Sequence, residues 1–96
     1  MNTADYLQLL RHYKATAAEK YGIKRIGIFG SVARGEQTDN SDVDIVVDLM
    51  EPRLFYLVHI KEDLQRLFGC PVDIVREREH MDSLLKSNIQ RDGVYA

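Results

Sequence analysis

The chain has 96 residues, enough for one small domain spanning positions 1–96 and too few for two. Its 45% hydrophobic and 29% charged content is that of an ordinary folded protein and excludes intrinsic disorder. Thirteen Lys and Arg against fifteen Asp and Glu give a net charge of −2, which argues against a domain that binds by coating nucleic-acid phosphates. A lone cysteine, Cys70, cannot form an internal disulfide, so a reducing cytoplasm is the expected compartment. No apolar run approaches the ~20 residues that span a bilayer, and MNTADYLQLLRHYK has no signal-peptide core.

The first element is a helix from Asn2 to about Tyr21. Tyr6, Leu9, Leu10, Tyr13 and Ala17 recur at helical spacing on one face, Asn2 or Thr3 suits the N-cap, and Gly22 suits a left-handed C-terminal position. KRIGIF follows as a short strand ended by Gly30. Ser31-Val32-Ala33-Arg34 has room for only a turn or two of helix before Gly35 and the polar EQTDNS. Asp42 to Asp48, DVDIVVD, has the β-branched apolar content of a central strand. Pro52 suits a first helical position, and Leu54, Leu57, Val58, Ile60, Leu64, Leu67 and Phe68 predict a helix with a broad buried stripe, closed by Gly69. Pro71 to Val75 reads as a third strand. Arg76 to His80 reads as a charged connector, and Met81 to about Arg91 as a last helix carrying Leu84, Leu85 and Ile89. Val94-Tyr95-Ala96 is left to pack back on the core.

The expected fold is therefore α/β (α+β): a small mixed three-stranded sheet packed with helices in the order α-β-α-β-α-β-α. The second and third strands, joined by a helix of about four turns, should be parallel with a right-handed crossover. The first connection is too short for such a crossover, so strands one and two should be antiparallel. This topology brings the end of strand one and the starts of strands two and three to a single sheet edge.

Three acids arrive at that edge. Asp42 and Asp44 are two apart, which in an extended strand places them on one face about 6–7 Å apart; Asp73 begins the parallel neighbour. Two carboxylates so placed repel by about 2–3 kcal/mol at an effective dielectric near 20. A divalent cation relieves that cost, and Mg²⁺ takes a few carboxylate oxygens while leaving positions open for phosphates. Gly30-Ser31 faces them across the edge: glycine lets backbone approach a ligand, a helix start offers free N–H groups to an anion, and serine adds a hydroxyl. Separately, each feature has a plainer explanation. Asp42 and Asp44 also suit a solvated turn with Asp73 unrelated, and Gly30-Ser31 a tight turn with an N-cap. Together they describe a metal–nucleotide site.

The string GSVARGEQTDNSDVDIVVD, from Gly30 to Asp48, resembles the G-S-x10-D-x-D signature of the polymerase-β-type nucleotidyltransferase superfamily, and Asp73 in PVDIV is similar to its third acid. The short length and the ARGE continuation resemble its minimal nucleotidyltransferase (MNT) group. The resemblance covers about Ile23 to Val75 by motif and nearly the whole chain by element order. It implies a polymerase-β-like core in which Asp42 and Asp44 hold two Mg²⁺ ions, Asp73 completes the catalytic metal site and helps activate the acceptor hydroxyl, and Gly30 and Ser31 hold the triphosphate of ATP. It also implies a partner, because MNT proteins are commonly paired with a HEPN-domain ribonuclease toxin, serving as antitoxins that transfer AMP onto a toxin tyrosine. The expected activity is that of a Mg²⁺-dependent protein adenylyltransferase. The alternatives are a non-catalytic antitoxin that blocks its partner by binding, or transfer to a small molecule such as an aminoglycoside. Neither a membrane nor direct nucleic-acid binding is expected.

Arg34, just past the phosphate turn, can approach the triphosphate or a partner's acidic surface, or lie solvated on its short helix. Asp48 reads as a strand-end residue in solvent. Ser41 reads as a turn cap, and Arg76-Glu77-Arg78-Glu79 as a solvated connector. His12, His59 and His80 lack metal-ligand spacing.

Overall fold

The computed structural model describes residues 1–96. Helix α1 runs Thr3–Tyr21. Its first turn is closed by a capping box: the Asn2 side chain accepts from the Asp5 N–H, and Asp5 accepts from the Asn2 N–H, each at 2.9 Å. Strand β1 (Ile23–Phe29) leads into the five-residue helix α2 (Gly30–Arg34), and β2 (Val43–Leu49) precedes α3 (Leu54–Phe68). Then come β3 (Val72–Arg76), α4 (Ser83–Asp92) and a two-residue strand β4 (Val94–Tyr95).

The sheet order is β3-β2-β1-β4, with β1 antiparallel to β2 and β2 parallel to β3, as the connection lengths require. The expected third strand is thus not the last: the sheet has four strands. The addition is β4, antiparallel to β1 through Gly27 opposite Tyr95 and Ile28 opposite Val94. A methyl group on Gly27 would lie 2.6 Å from the Val94 carbonyl oxygen, so this edge closes because residue 27 has no side chain.

Two apolar layers flank the sheet. On one face α1 and α3 bury Tyr6, Leu10, Ala17, Tyr21, Ile60, Leu64 and Phe68 against Ile26, Ile28, Val43, Ile45 and Val47. On the other, α4 covers only a small patch in which Ile89 meets Phe29 and Val46, with Leu85, Met81, Val75 and Tyr95 around it. The catalytic candidates therefore sit on the thinly covered face. No helix is long and apolar enough to cross a membrane.

Several sequence expectations shift. Helix α3 begins at Leu54 with Arg53 as N-cap, so Pro52 lies before the helix and not at its first position. The stripe on α3 is narrower than its composition suggests. Ile60, Leu64 and Phe68 are buried, but Leu54 and Phe55 are 72% and 77% exposed, and Val58 is also exposed, because these three lie on the side of the helix turned away from Tyr56, Leu57 and Ile60, which pack on the core. Leu84 on α4 is likewise exposed. Leu64→Ala is expected to lower unfolding free energy by about 2–5 kcal/mol, as for other buried leucines. Leu54→Ala should change it by less than about 0.5 kcal/mol. Urea midpoints of the two variants check the contrast, and equal losses would show the outer side of α3 to be packed in solution.

Candidate active site

The antiparallel and parallel registers converge on one residue: Asp44 lies opposite Phe29 of β1 and opposite Asp73 of β3. Because Phe29 is the last residue of β1, Gly30 leaves the sheet directly beside Asp44. Asp42 stands just before β2, where the Val43 N–H donates to the Pro71 carbonyl at 3.0 Å and ties the entries of β2 and β3 together. The predicted trio thus shares one edge, with Asp44 half-buried and Asp42 and Asp73 exposed. The three side chains do not close on a point as a preformed metal cage.

Electrostatics show that they act on one another. The Asp44 carboxyl is held above its usual range, first by burial and then by the charges of Asp73 and Asp42, with Arg34 the one opposing influence. An uncompensated trio of hard oxygen donors, open on its outer side, fits a cation that shares its coordination sphere with phosphate oxygens, as Mg²⁺ does.

Gly30 has φ of +71°. A methyl group there would overlap Asp44 Oδ2 and lie 3.2 Å from its Cγ, so glycine is needed both for the backbone angle and for the carboxylate's place. Helix α2 is braced from α1, where the Thr3 hydroxyl donates to the Val32 carbonyl at 2.6 Å. The Ser31 carbonyl accepts from the Glu36 N–H at 2.9 Å, turning the chain sharply after Arg34. Arg34 is not a free surface cation: its Nε donates to Glu36 at 3.0 Å and its Nη1 to Asp92 of α4 at 2.7 Å.

The charged connector is also more structured than its composition suggests. Glu77 is ion-paired with Arg25 and accepts from the Tyr95 hydroxyl, while the Arg25 guanidinium lies 4.6 Å from the Tyr95 ring centroid. Burial and the bond to Glu77 push the Tyr95 phenol up to about 12. Asp48 is half-buried opposite Arg25 and is not a free strand end. Ser41 does cap a turn, accepting from the Thr38 N–H at 2.9 Å. A concavity of about 550 Å³ borders Arg25, Asp48, Glu77 and Tyr95 at the opposite end of the sheet and contains none of the predicted site residues. Sequence reasoning missed Thr3 and Asp92 as supports of α2. They reach it across separations of 29 and 58 residues, which no local pattern encodes.

This geometry can be set beside known proteins. The nucleotidyltransferase domain family matches residues 10–96. The chain belongs to that family. The nucleotidyltransferase is 42% identical over 84 residues to the protein adenylyltransferase MntA of Thermococcus cleftensis, covering 86% of this chain and 80% of that one. It is similar to a solved minimal nucleotidyltransferase at 34% identity and a TM-score of 0.77, over 98% of this chain and 95% of the other. It also shares its fold with the solved complex of a tri-AMPylated Shewanella oneidensis HEPN toxin and an MNT antitoxin. There the TM-score is 0.60 and the identity 20%, with 98% of this chain and 67% of that chain covered.

Proposed function

We propose that the nucleotidyltransferase transfers AMP from ATP to a hydroxyl group of a protein partner, a HEPN-domain toxin, on a tyrosine, and acts as its antitoxin in the cytoplasm. One observation carries the reading: Asp44 and Asp73 stand in register beside a glycine whose missing side chain leaves room for the Asp44 carboxylate. Its support among known proteins is the 42% identical relative named as a protein adenylyltransferase.

The acceptor oxygen attacks the α-phosphorus, the bond to the bridging oxygen of pyrophosphate breaks, and the hydroxyl proton passes to Asp73. Gly30, Ser31 and Arg34 hold the triphosphate at the strand end, Gly30-Ser31 through backbone N–H groups and the serine hydroxyl. Asp42 and Asp44, with Asp73, would hold two Mg²⁺ ions, which supply charge neutralisation for the triphosphate and leaving group when bound. The chain's own contribution is positioning: the register fixes Asp44 against Asp73, and the bracing of α2 by Thr3 fixes the turn against both. Residues 1–96 work as a single catalytic domain, and the exposed Met50, Leu54, Phe55 and Val58, far from the catalytic edge, suit contact with a protein partner.

The test is intact-mass analysis of the chain and its natural partner incubated with Mg-ATP, beside the Asp42→Ala/Asp44→Ala variant. AMP-sized increments on the partner, absent with the variant, are expected. A stable complex without added mass, and toxin neutralisation that survives in the variant, would replace this reading with inhibition by binding alone.

A further inference from the structure

We infer that Asp92 is a positioning residue for nucleotide binding, fixing the Arg34 guanidinium at the end of the phosphate turn in the orientation that meets the triphosphate. The inference rests on the reading of Arg34 as a triphosphate contact and extends it to the residue that makes this contact possible.

Asp92 is the last residue of α4, and its side chain is only 6% exposed. An aspartate so enclosed is almost always paired, and this one is held on both oxygens. Oδ1 accepts from Arg91 Nε at 3.0 Å, while Oδ2 accepts from Arg91 Nη2 at 3.0 Å and from Arg34 Nη1 at 2.7 Å. Arg91 thus grips the carboxylate in a two-pronged fork and turns one oxygen toward Arg34. Arg91 and Arg34 together hold the carboxyl of Asp92 below its usual range.

The arrangement does more than attach α4. That helix is already seated through Ile89 and Leu85 on Phe29 and Val46. What the Asp92 contact uniquely fixes is Arg34. The other partner of Arg34, Glu36, has a side chain 66% exposed, and an ion pair in that setting imposes little order. The two bonds occupy Nε and Nη1, leaving Nη2 for a ligand, and the charge of Arg34 already acts on Asp44. A guanidinium held in place before ATP arrives loses less freedom on binding it. The frame that places Asp92 is the strand that delivers the phosphate turn. The Gly93 N–H closes α4 on the Ile89 carbonyl at 2.7 Å, and Val94 and Tyr95 then pair with Ile28 and Gly27, the two residues before Phe29 ends β1.

Mg-ATP affinity, measured by titration calorimetry on wild type, Arg34→Gln, Asp92→Asn, Asp92→Glu and the double variant, tests this. Arg34→Gln should bind about tenfold more weakly, as for the loss of one charge-assisted contact, and Asp92→Asn about threefold to tenfold more weakly, no more than the contact it supports. The double variant should bind no worse than Arg34→Gln alone, because Asp92 acts through Arg34. Asp92→Glu should recover most of the loss. In AMP transfer, Asp92→Asn should raise KM for ATP while kcat at saturating ATP stays within about threefold. Losses that add in the double variant, or normal affinity of Asp92→Asn beside a weakened Arg34→Gln, would overturn the role of Asp92. Normal affinity of Arg34→Gln would overturn the triphosphate contact as well. If Asp92→Asn does not fold, Asp92→Ser in the wild-type and Arg34→Gln backgrounds supplies the same comparison: a weaker effect in the second background supports the proposal, and an equal one overturns it.

Discussion

Asp44→Asn is expected to lower AMP transfer about a hundredfold to a thousandfold, the scale on which groups that stabilise transition-state charge act, and also to raise the melting temperature of the nucleotide-free chain by a few degrees. Both effects have one origin. Asp44 is half-buried and faces the charges of Asp73 and Asp42, so its ionised form is disfavoured in the folded chain. A carboxyl raised in this way binds its proton more tightly folded than unfolded, and stability therefore falls as pH rises through its titration. The advantage of the asparagine variant should be full at pH 7 and shrink toward zero below the ordinary aspartate range near pH 4. Added Mg²⁺ should stabilise the wild type more than the variant, because only the wild type has the full donor set. Thermal melts in EDTA at several pH values, with and without Mg²⁺, check all three. A variant less stable than wild type at pH 7 would mean that Asp44 is held by a favourable contact and not strained by its neighbours.

The second large effect is expected from Gly30→Ala. Two penalties coincide there: φ of +71°, which costs an alanine about 1–2 kcal/mol, and overlap of the new methyl with the Asp44 carboxylate. Gly69 separates them. It has nearly the same angle, +69°, with nothing within 4 Å of where a methyl would go. Gly69→Ala should therefore cost about 1–2 kcal/mol and leave transfer intact. Gly30→Ala should cost more by about 1 kcal/mol or above and reduce kcat about a hundredfold or more by displacing Asp44 from its partners. Urea midpoints and initial rates of the two variants isolate the overlap. Equal stability losses would show that Asp44 turns aside freely, and that the glycine is there for its backbone angle alone.

The candidate site's convergence on one sheet edge was legible because its information is local. Asp42, Asp44, Gly30 and Ser31 lie within one short stretch, and loop lengths alone decide which strands run antiparallel and which parallel. Asp73 follows from the parallel crossover. What escaped depends on distant partners. Strand β4 is two residues long, too short for any periodic signal, and it forms because Gly27, far away in sequence, has no side chain. The exposed leucine at the start of α3 could not be told from the buried one, because Leu54 and Leu64 are the same residue and only the side of the helix that meets the core distinguishes them. Glu77 reads as one more charge in an alternating run until Arg25 and Tyr95 are brought to it by the fold.

Strand β2 carries two kinds of instruction interleaved along one backbone. Val43, Ile45, Val47 and Leu49 face the main apolar layer, while Asp44, Val46 and Asp48 face the other side. Odd positions thus serve the main core, whereas of the even ones Val46 seats α4 and Asp44 is left for the proposed chemistry. Such a strand can be rewritten at Asp44, toward a different chemistry or a silent binding domain, while its apolar positions go on specifying the same architecture. Innovation and inheritance are separated here by a single residue step, and a chain of 96 residues can diversify without first becoming longer.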